Sequence, residues 1–206
     1  MLEDSLVLSR SRSRRMGPLD LGIVGVDDGA FDTSRGDRRA ILLAVLLRCS
    51  RICGVKVGTI EVDGNDAPII LRELLRSIRF DLVMLSGISF GGFNLIDVSE
   101  LAHDLHKPVI AISGEKPNNR SVRAALRGHF DDWENRWRIV RSAGKIYSCK
   151  PLTSEPRVYF EVKGANSNFA KRVIAATALI SRLPEPVRVA RILARGLSPY
   201  TASINA

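Results

Sequence analysis

Cysteine is scarce. Cys49, Cys53 and Cys149 are too few and too scattered for a disulfide framework or a four-ligand zinc site. Only three histidines occur, His103, His106 and His129, and no Ser-His-Asp or Cys-His arrangement emerges around them. His103 and His106 fall on a helix read as running behind the sheet, so neither is assigned a role. There is no long hydrophobic run: AILLAVLL at 40–47 has eight residues and cannot span a bilayer. The opening stretch MLEDSLVLSRSRSRRMG has no apolar core followed by a small-residue cleavage site, so it does not read as a signal peptide, and a cytoplasmic location away from any membrane is expected. A Walker-type phosphate loop, a dinucleotide fingerprint and internal repeats are all missing as well.

What is present is a chain of 206 residues with ordinary apolar and charged content, enough for one domain with a real core. Residues 1–17 read as a disordered basic tail and 18–206 as a single domain. The formal net charge is +9. In the tail, Arg10, Arg12, Arg14 and Arg15 are offset by Glu3 and Asp4, so only +2 resides there and +7 belongs to the folded part. A basic globular domain suits an anionic partner, most simply nucleic acid.

Apolar periodicity sets the order of elements. LGIVGVD at 21–27 is a continuous apolar run, the pattern of a buried strand. RAILLAVLLRC at 39–49 and CGVKVGTIEVD at 53–63 are two further strands around a tight turn that holds Cys49 and Cys53. NDAPIILRELLRSI at 65–78 turns helical, with Asp66 as N-cap, Pro68 in the first turn and Ile70, Leu71, Leu74, Leu75 and Ile78 on one face. FDLVMLSG at 80–87 is a strand, LIDVSELAHDLH at 95–106 a helix and KPVIAISG at 107–114 a strand, which together make βαβ units. Further strand and helix signals follow, RVYFEVKG at 157–164 and two late helices among them. The class is α/β, a mixed sheet with the first strand central and helices on both faces.

Acidic residues collect at strand ends. Asp27 and Asp28 close the first strand, Asp63 and Asp66 follow the third, and SGISFGGFN follows the fourth. Carboxylates from several strands at one sheet edge suit Mg²⁺ or Mn²⁺, hard cations that take oxygen ligands. Each acid has a structural reading too: turn chemistry for Asp28 and for Asp63 before Gly64, and helix capping for Asp66. Asn94 reads either as the N-cap of the helix after it or as part of a phosphate-binding loop with Gly91 and Gly92.

The motifs GVDDGAF, VDGNDAP, GISFGGFNLIDV, KPVIAISGEKPN and LPEPVRVARILARG closely resemble the archaeal family called domain of unknown function 99, or uncharacterised protein family 0215. The match runs from about Leu21 to about Leu197. That family is distantly similar to endonuclease V, which implies a ribonuclease H-like fold and Mg²⁺-dependent cutting of a nucleic-acid strand near a deaminated base. By this resemblance Asp27 matches the first-strand metal ligand, and Asp66 falls where endonuclease V carries a glutamate. Ser86 stands where an aspartate is expected, and Ala165 where a histidine is. The proline-tyrosine wedge has no counterpart in KVGTIEVDG. The implied catalytic pair is Asp27 and Asp66, with Asp28 and Asp63 as further candidate metal ligands.

Arg120, Arg123 and Arg127 recur on one helix face, as do Arg188, Arg191 and Arg195 on the last helix. Lys116, Arg136, Arg138, Arg141, Lys145 and Lys150 lie nearby in sequence. Trp133 and Trp137 read as helix-packing residues. The candidate substrate-binding set is Ser86, Asn94, Lys116, Arg120, Arg123 and Arg127, for DNA or RNA. Two functions follow: a nucleic-acid-binding protein that is a Mg²⁺- or Mn²⁺-dependent nuclease with an incomplete acidic site, or an inactive scaffold that holds a protein or small nucleotide in the same cleft.

Overall fold

The computed structural model describes residues 21–201, so the tail expected at 1–17 lies outside the described residues. The chain opens with β1 (Ile23–Asp28), β2 (Arg39–Arg48) and β3 (Arg51–Glu61), then α1 (Ala67–Leu75) and β4 (Leu82–Leu85). A small hairpin follows, β5 (Ser89–Phe90) and β6 (Asn94–Leu95), then α2 (Val98–Leu105) and β7 (Val109–Ser113). Next come α3 (Asn119–His129), α4 (Trp133–Ser142), β8 (Tyr147–Cys149), β9 (Val158–Lys163), α5 (Ser167–Thr177) and α6 (Glu185–Leu197).

Seven strands form one sheet in the order β3-β2-β1-β4-β7-β9-β8. β1, β4 and β7 run parallel, and the flanking strands pair antiparallel. The sheet is therefore mixed, as expected. β1 is interior, but β4 holds the middle place because β9 and β8 extend the sheet beyond β7.

The continuous apolar run of β2 has a direct cause: both faces of the sheet are covered. Ala40, Leu42, Ala44 and Leu46 face the cluster that α1 and α2 close with Leu71, Leu75, Val98 and Leu101. Ile41, Leu43, Val45 and Leu47 face Ala190 and Ala194 of α6. Val173 and Ile174 of α5 and Val187 of α6 cover Leu82, Met84, Ile110 and Phe160 on that same side. Each fully buried leucine contributes about 1.5–3 kcal/mol, so these two layers dominate stability.

Gly25 decides how closely α6 sits. A Cβ built there would overlap the Pro186 carbonyl at the start of α6, so only glycine lets the helix rest on β1. That seating carries Arg191 of α6 to the end of β1. α3 and α4 form a separate layer around Leu95, Leu126 and Val140, with Phe93, Phe130, Trp133 and Trp137 packed against them. Among the described residues, no helix is long and apolar enough to cross a membrane.

Candidate functional site

Successive residues of a strand face opposite sides, and the end of β1 uses this to split its two acids. Asp27 shares the α6 side with Gly25, and Asp28 shares the α1 side with Val24 and Val26. At the strand end their carboxyl groups still come within hydrogen-bonding reach of one another.

Asp27 is only 4% exposed. Its Oδ1 accepts from the Asp28 backbone N–H at 3.0 Å, and its Oδ2 accepts from Arg191 Nε at 2.8 Å. Arg191 Nη2 donates to Ser86 Oγ at 2.8 Å. Ser86 is next to Asp27 because β4 runs parallel to β1, its N–H reaching the Val26 carbonyl at 3.0 Å. One guanidinium thus joins the end of β1, the end of β4 and α6. The sequence showed Arg191 only as one of three arginines on a helix face. The structure divides that stripe: Arg188 pairs with Glu185 and Arg191 with Asp27. Carboxylates inside the fold, rather than an outside anion, meet two of the three charges.

The other acids grip the β5–β6 hairpin. Asp28 Oδ2 accepts from Gly91 N–H at 2.6 Å. Burial pushes the Asp28 carboxyl up to about 6, the charge of Asp27 adds to this, and the Gly91 bond opposes it. Asp63, in the left-handed region at φ 58°, donates its N–H to the Gly91 carbonyl at 2.7 Å and accepts from Phe93 N–H at 2.8 Å. Both oxygens of Asp66 accept from Glu61 N–H, at 3.0 and 3.2 Å, and Oδ1 also accepts from Asn94 Nδ2 at 2.6 Å. Asp66 and Asp27 have no partner in common.

Two capping expectations need correction. Asp66 holds the N-cap position of α1 but makes no capping bond from its side chain. Asn94 makes the bond instead, accepting from Ala67 N–H at 2.9 Å, and it is fully buried. Asp97, not Asn94, caps α2 through Ser99 and Glu100 N–H. The β5–β6 turn, with Gly91 at φ 50° and Gly92 at φ 86°, swings Asn94 back under α1, so its local position before α2 misleads. Its amide is fully engaged within the fold, which leaves it turned away from a ligand.

Among the described residues, no group of three or more His, Cys, Asp or Glu is arranged to hold a metal ion. Asp27 and Asp28 do form a two-carboxylate donor set. Such a pair suits Mg²⁺, which is commonly held by one or two carboxylates while water and substrate phosphates complete its shell.

The basic face lies on α3. Lys116, Arg120, Arg123 and Arg127 are exposed. Arg123 lies over the rings of Trp133 and Trp137 at 5.9 and 5.7 Å, and Arg127 lies over Trp133 at 5.3 Å. The tryptophans do pack between helices, as their spacing predicts, and they also hold the arginines outward. Arg120, Arg123 and Arg127 border an open groove of about 400 Å³ with Asn119, Ala124 and Trp137. Arg136 does not belong to this surface. It is 5% exposed, donates to Asp132 and to the Gly64 and Phe93 carbonyls, and stacks 4.3 Å from the Phe130 ring.

Comparison with known proteins gives a consistent result. The family model described as Endonuclease dU matches residues 20–198. A UPF0215 protein of Pyrococcus furiosus is 32% identical over 180 residues, which cover 85% of this chain and 91% of that protein. One from Pyrococcus horikoshii is 34% identical over 179 residues, covering 85% and 91%. A solved Archaeoglobus fulgidus protein of unknown function superposes with TM-score 0.75 at 26% identity, covering 84% of this chain and 96% of that one. Endonuclease V from Streptomyces avermitilis shares the fold with TM-score 0.63 at 17% identity, covering 91% and 85%. So does Ciona intestinalis endonuclease V in complex with a DNA containing inosine, with TM-score 0.54 at 10% identity, covering 90% and 87%. The ribonuclease H-like fold expected from the motifs is therefore the observed one.

Proposed function

The chain belongs to the Endonuclease dU family, and we propose that it cuts a DNA strand at deoxyuridine with a divalent cation held by Asp27 and Asp28. The observation that carries this reading is the pair of touching carboxyl groups at the end of β1, beside Ser86 and Arg191. Bound there, Mg²⁺ or Mn²⁺ would polarise a phosphoryl oxygen and lower the pKa of a water. Arg191 presents a planar, permanently charged fork at the same spot, suited to a phosphate oxygen as the scissile group arrives. Ser86 Oγ keeps that fork oriented. Asp63 and Asp66 act through the hairpin, holding Gly91–Asn94 so that Asp28 stays fixed.

The α3 arginines supply the strand-binding face. Replacing Arg120, Arg123 and Arg127 together by Gln should lower the slope of log affinity against log salt by about 2 on single-stranded DNA, near 0.7 for each lost phosphate contact. Fluorescence anisotropy across a salt series measures this. An unchanged slope would assign the groove no phosphate contact.

The test of function uses end-labelled single strands that carry one uracil, or cytosine or thymine at that place, with Mg²⁺, Mn²⁺ or chelator. The expected result is cutting of the uracil strand alone, and only with metal. One observation favours a second reading, a scaffold that binds without cutting: Arg191 already neutralises Asp27. Strand binding with no cutting under either metal selects that reading.

A further inference from the structure

A second carboxyl group lies buried away from the acids of β1. Glu161 of β9 is 8% exposed, and no other described residue donates a hydrogen bond to its carboxyl. It sits opposite Ala111 of β7, on the α2 side of the sheet. Its neighbours Val158, Phe160 and Val162 pack against the other face. Its own backbone N–H is the one donor to the carboxyl among the described residues, and burying a carboxyl group with so little compensation is costly, so its place in a well-packed fold needs a reason.

The reason is on its open side. Glu161 lines a cavity of about 190 Å³ whose walls include Ile88, Phe93, Leu95, Val122 and Val140. An apolar cavity of about 150 Å³ accepts a benzene ring, so this one has room for a single six-membered heterocycle. Its serines are already engaged, Ser113 with Glu115 and Ser89 with the Gly92 carbonyl. Glu161 is the charged group in the lining. The cavity is also joined to the acidic site by one loop. Ser86 accepts from Arg191, Gly87 and Ile88 wall the cavity, and Gly91 is held by Asp28. Gly87 has φ 85° and open space where a Cβ would stand, so the loop leaves the mouth clear.

Resting on the reading of the chain as a deoxyuridine endonuclease, we infer that this cavity receives the uracil base and that Glu161 is the residue that reads it. The carboxyl accepts from uracil N3–H, and when protonated it also donates to the neighbouring carbonyl oxygen O4. The apolar walls and the Phe93 ring take the faces of the base. An enzyme that acts beside one base gains selectivity by taking that base out of the stack into such a pocket. Methylation at N3 removes the donor and adds bulk just where Glu161 lies.

The experiment measures anisotropy of a labelled single strand carrying one uracil, N3-methyluracil or cytosine, in chelator so that nothing is cut. Wild type should bind the uracil strand at least tenfold tighter than the N3-methyluracil strand, the ratio that 1.4 kcal/mol confers. Glu161→Leu should bring the two affinities together. Glu161→Gln should keep the preference, because an amide presents the same acceptor and donor as a neutral carboxyl. Both variants remove a buried ionisable group, so neither endangers folding. If Glu161→Leu retains the wild-type preference, or wild type shows none while binding all strands, the assignment of Glu161 fails. The cutting assay separates this from the wider reading. A preference that vanishes in Glu161→Leu upholds the assignment even where no strand is cut, and uracil-specific cutting by Glu161→Leu overturns the assignment alone.

Discussion

Arg191→Ala should lower the melting temperature by roughly 6–12 °C in chelator, and the variant should gain more from Mg²⁺ than wild type does. Asp27 is 4% exposed and its Oδ2 is bonded to Arg191 at 2.8 Å. Removing one member of a buried ion pair costs about 3–5 kcal/mol, because the other charge is left without compensation. Arg191 is itself 39% exposed, so water can reach part of the gap and the lower end, about 3 kcal/mol, applies. For a domain of this size each kcal/mol moves the melting temperature by about 2–4 °C. Mg²⁺ then competes for the vacated carboxylate. At a concentration 100 times its dissociation constant, a ligand that binds only the folded state adds about 2.7 kcal/mol. Thermal melts of both proteins, with and without Mg²⁺, measure the difference. Asp27→Asn provides the control, with no gain from metal. Equal gains in wild type and Arg191→Ala would mean that Arg191 and the metal do not meet at Asp27.

The second large effect is on the pH dependence of stability. Burial pushes the Glu161 carboxyl from 4.5 up to about 7. Below about 4.5 the group is protonated in both folded and unfolded chains and contributes nothing. Between there and 7 the folded chain binds the extra proton, so stability falls as pH rises. Above 7 the cost is complete, roughly 3 kcal/mol at 1.36 kcal/mol per pKa unit. Asp28, raised to about 6 in part by the same cause, adds a decline of the same sign. Glu161→Gln removes only the first contribution. The wild type should therefore lose about 3 kcal/mol relative to Glu161→Gln on going from pH 4.5 to pH 8, with Asp28 cancelling in the comparison. Denaturant unfolding at a series of pH values measures it. Parallel curves would mean that the Glu161 carboxyl keeps its full hydration in the folded chain.

Some of this protein was legible along the chain. β2 announced itself by eight apolar residues in a row, the pattern of a strand covered on both faces. α1 was set by Pro68 in its first turn and by leucines at helical spacing. The resemblance to endonuclease V put Ser86 at a ligand position beside Asp27, and the parallel pairing of β1 with β4 makes them neighbours. The mixed sheet with helices on both faces follows from the same periodicities. Each of these signals is local, written in residues a few positions apart.

What only the tertiary structure decided depends on residues far apart in sequence. Arg191 lies 164 positions from Asp27, and α6 brings them together only because Gly25 lets it sit against β1. The exchange of caps, with Asn94 on α1 and Asp97 on α2, arises because a glycine turn folds β6 back beneath α1. Arg136 looked like one more surface cation, yet the loop carbonyls of Gly64 and Phe93 draw it inside. Glu161 carried no sequence signal at all. Polar residues alternate with apolar ones in any strand with one wet face, and whether that face meets bulk solvent or a recessed cavity is settled by helices that pack over it from elsewhere in the chain.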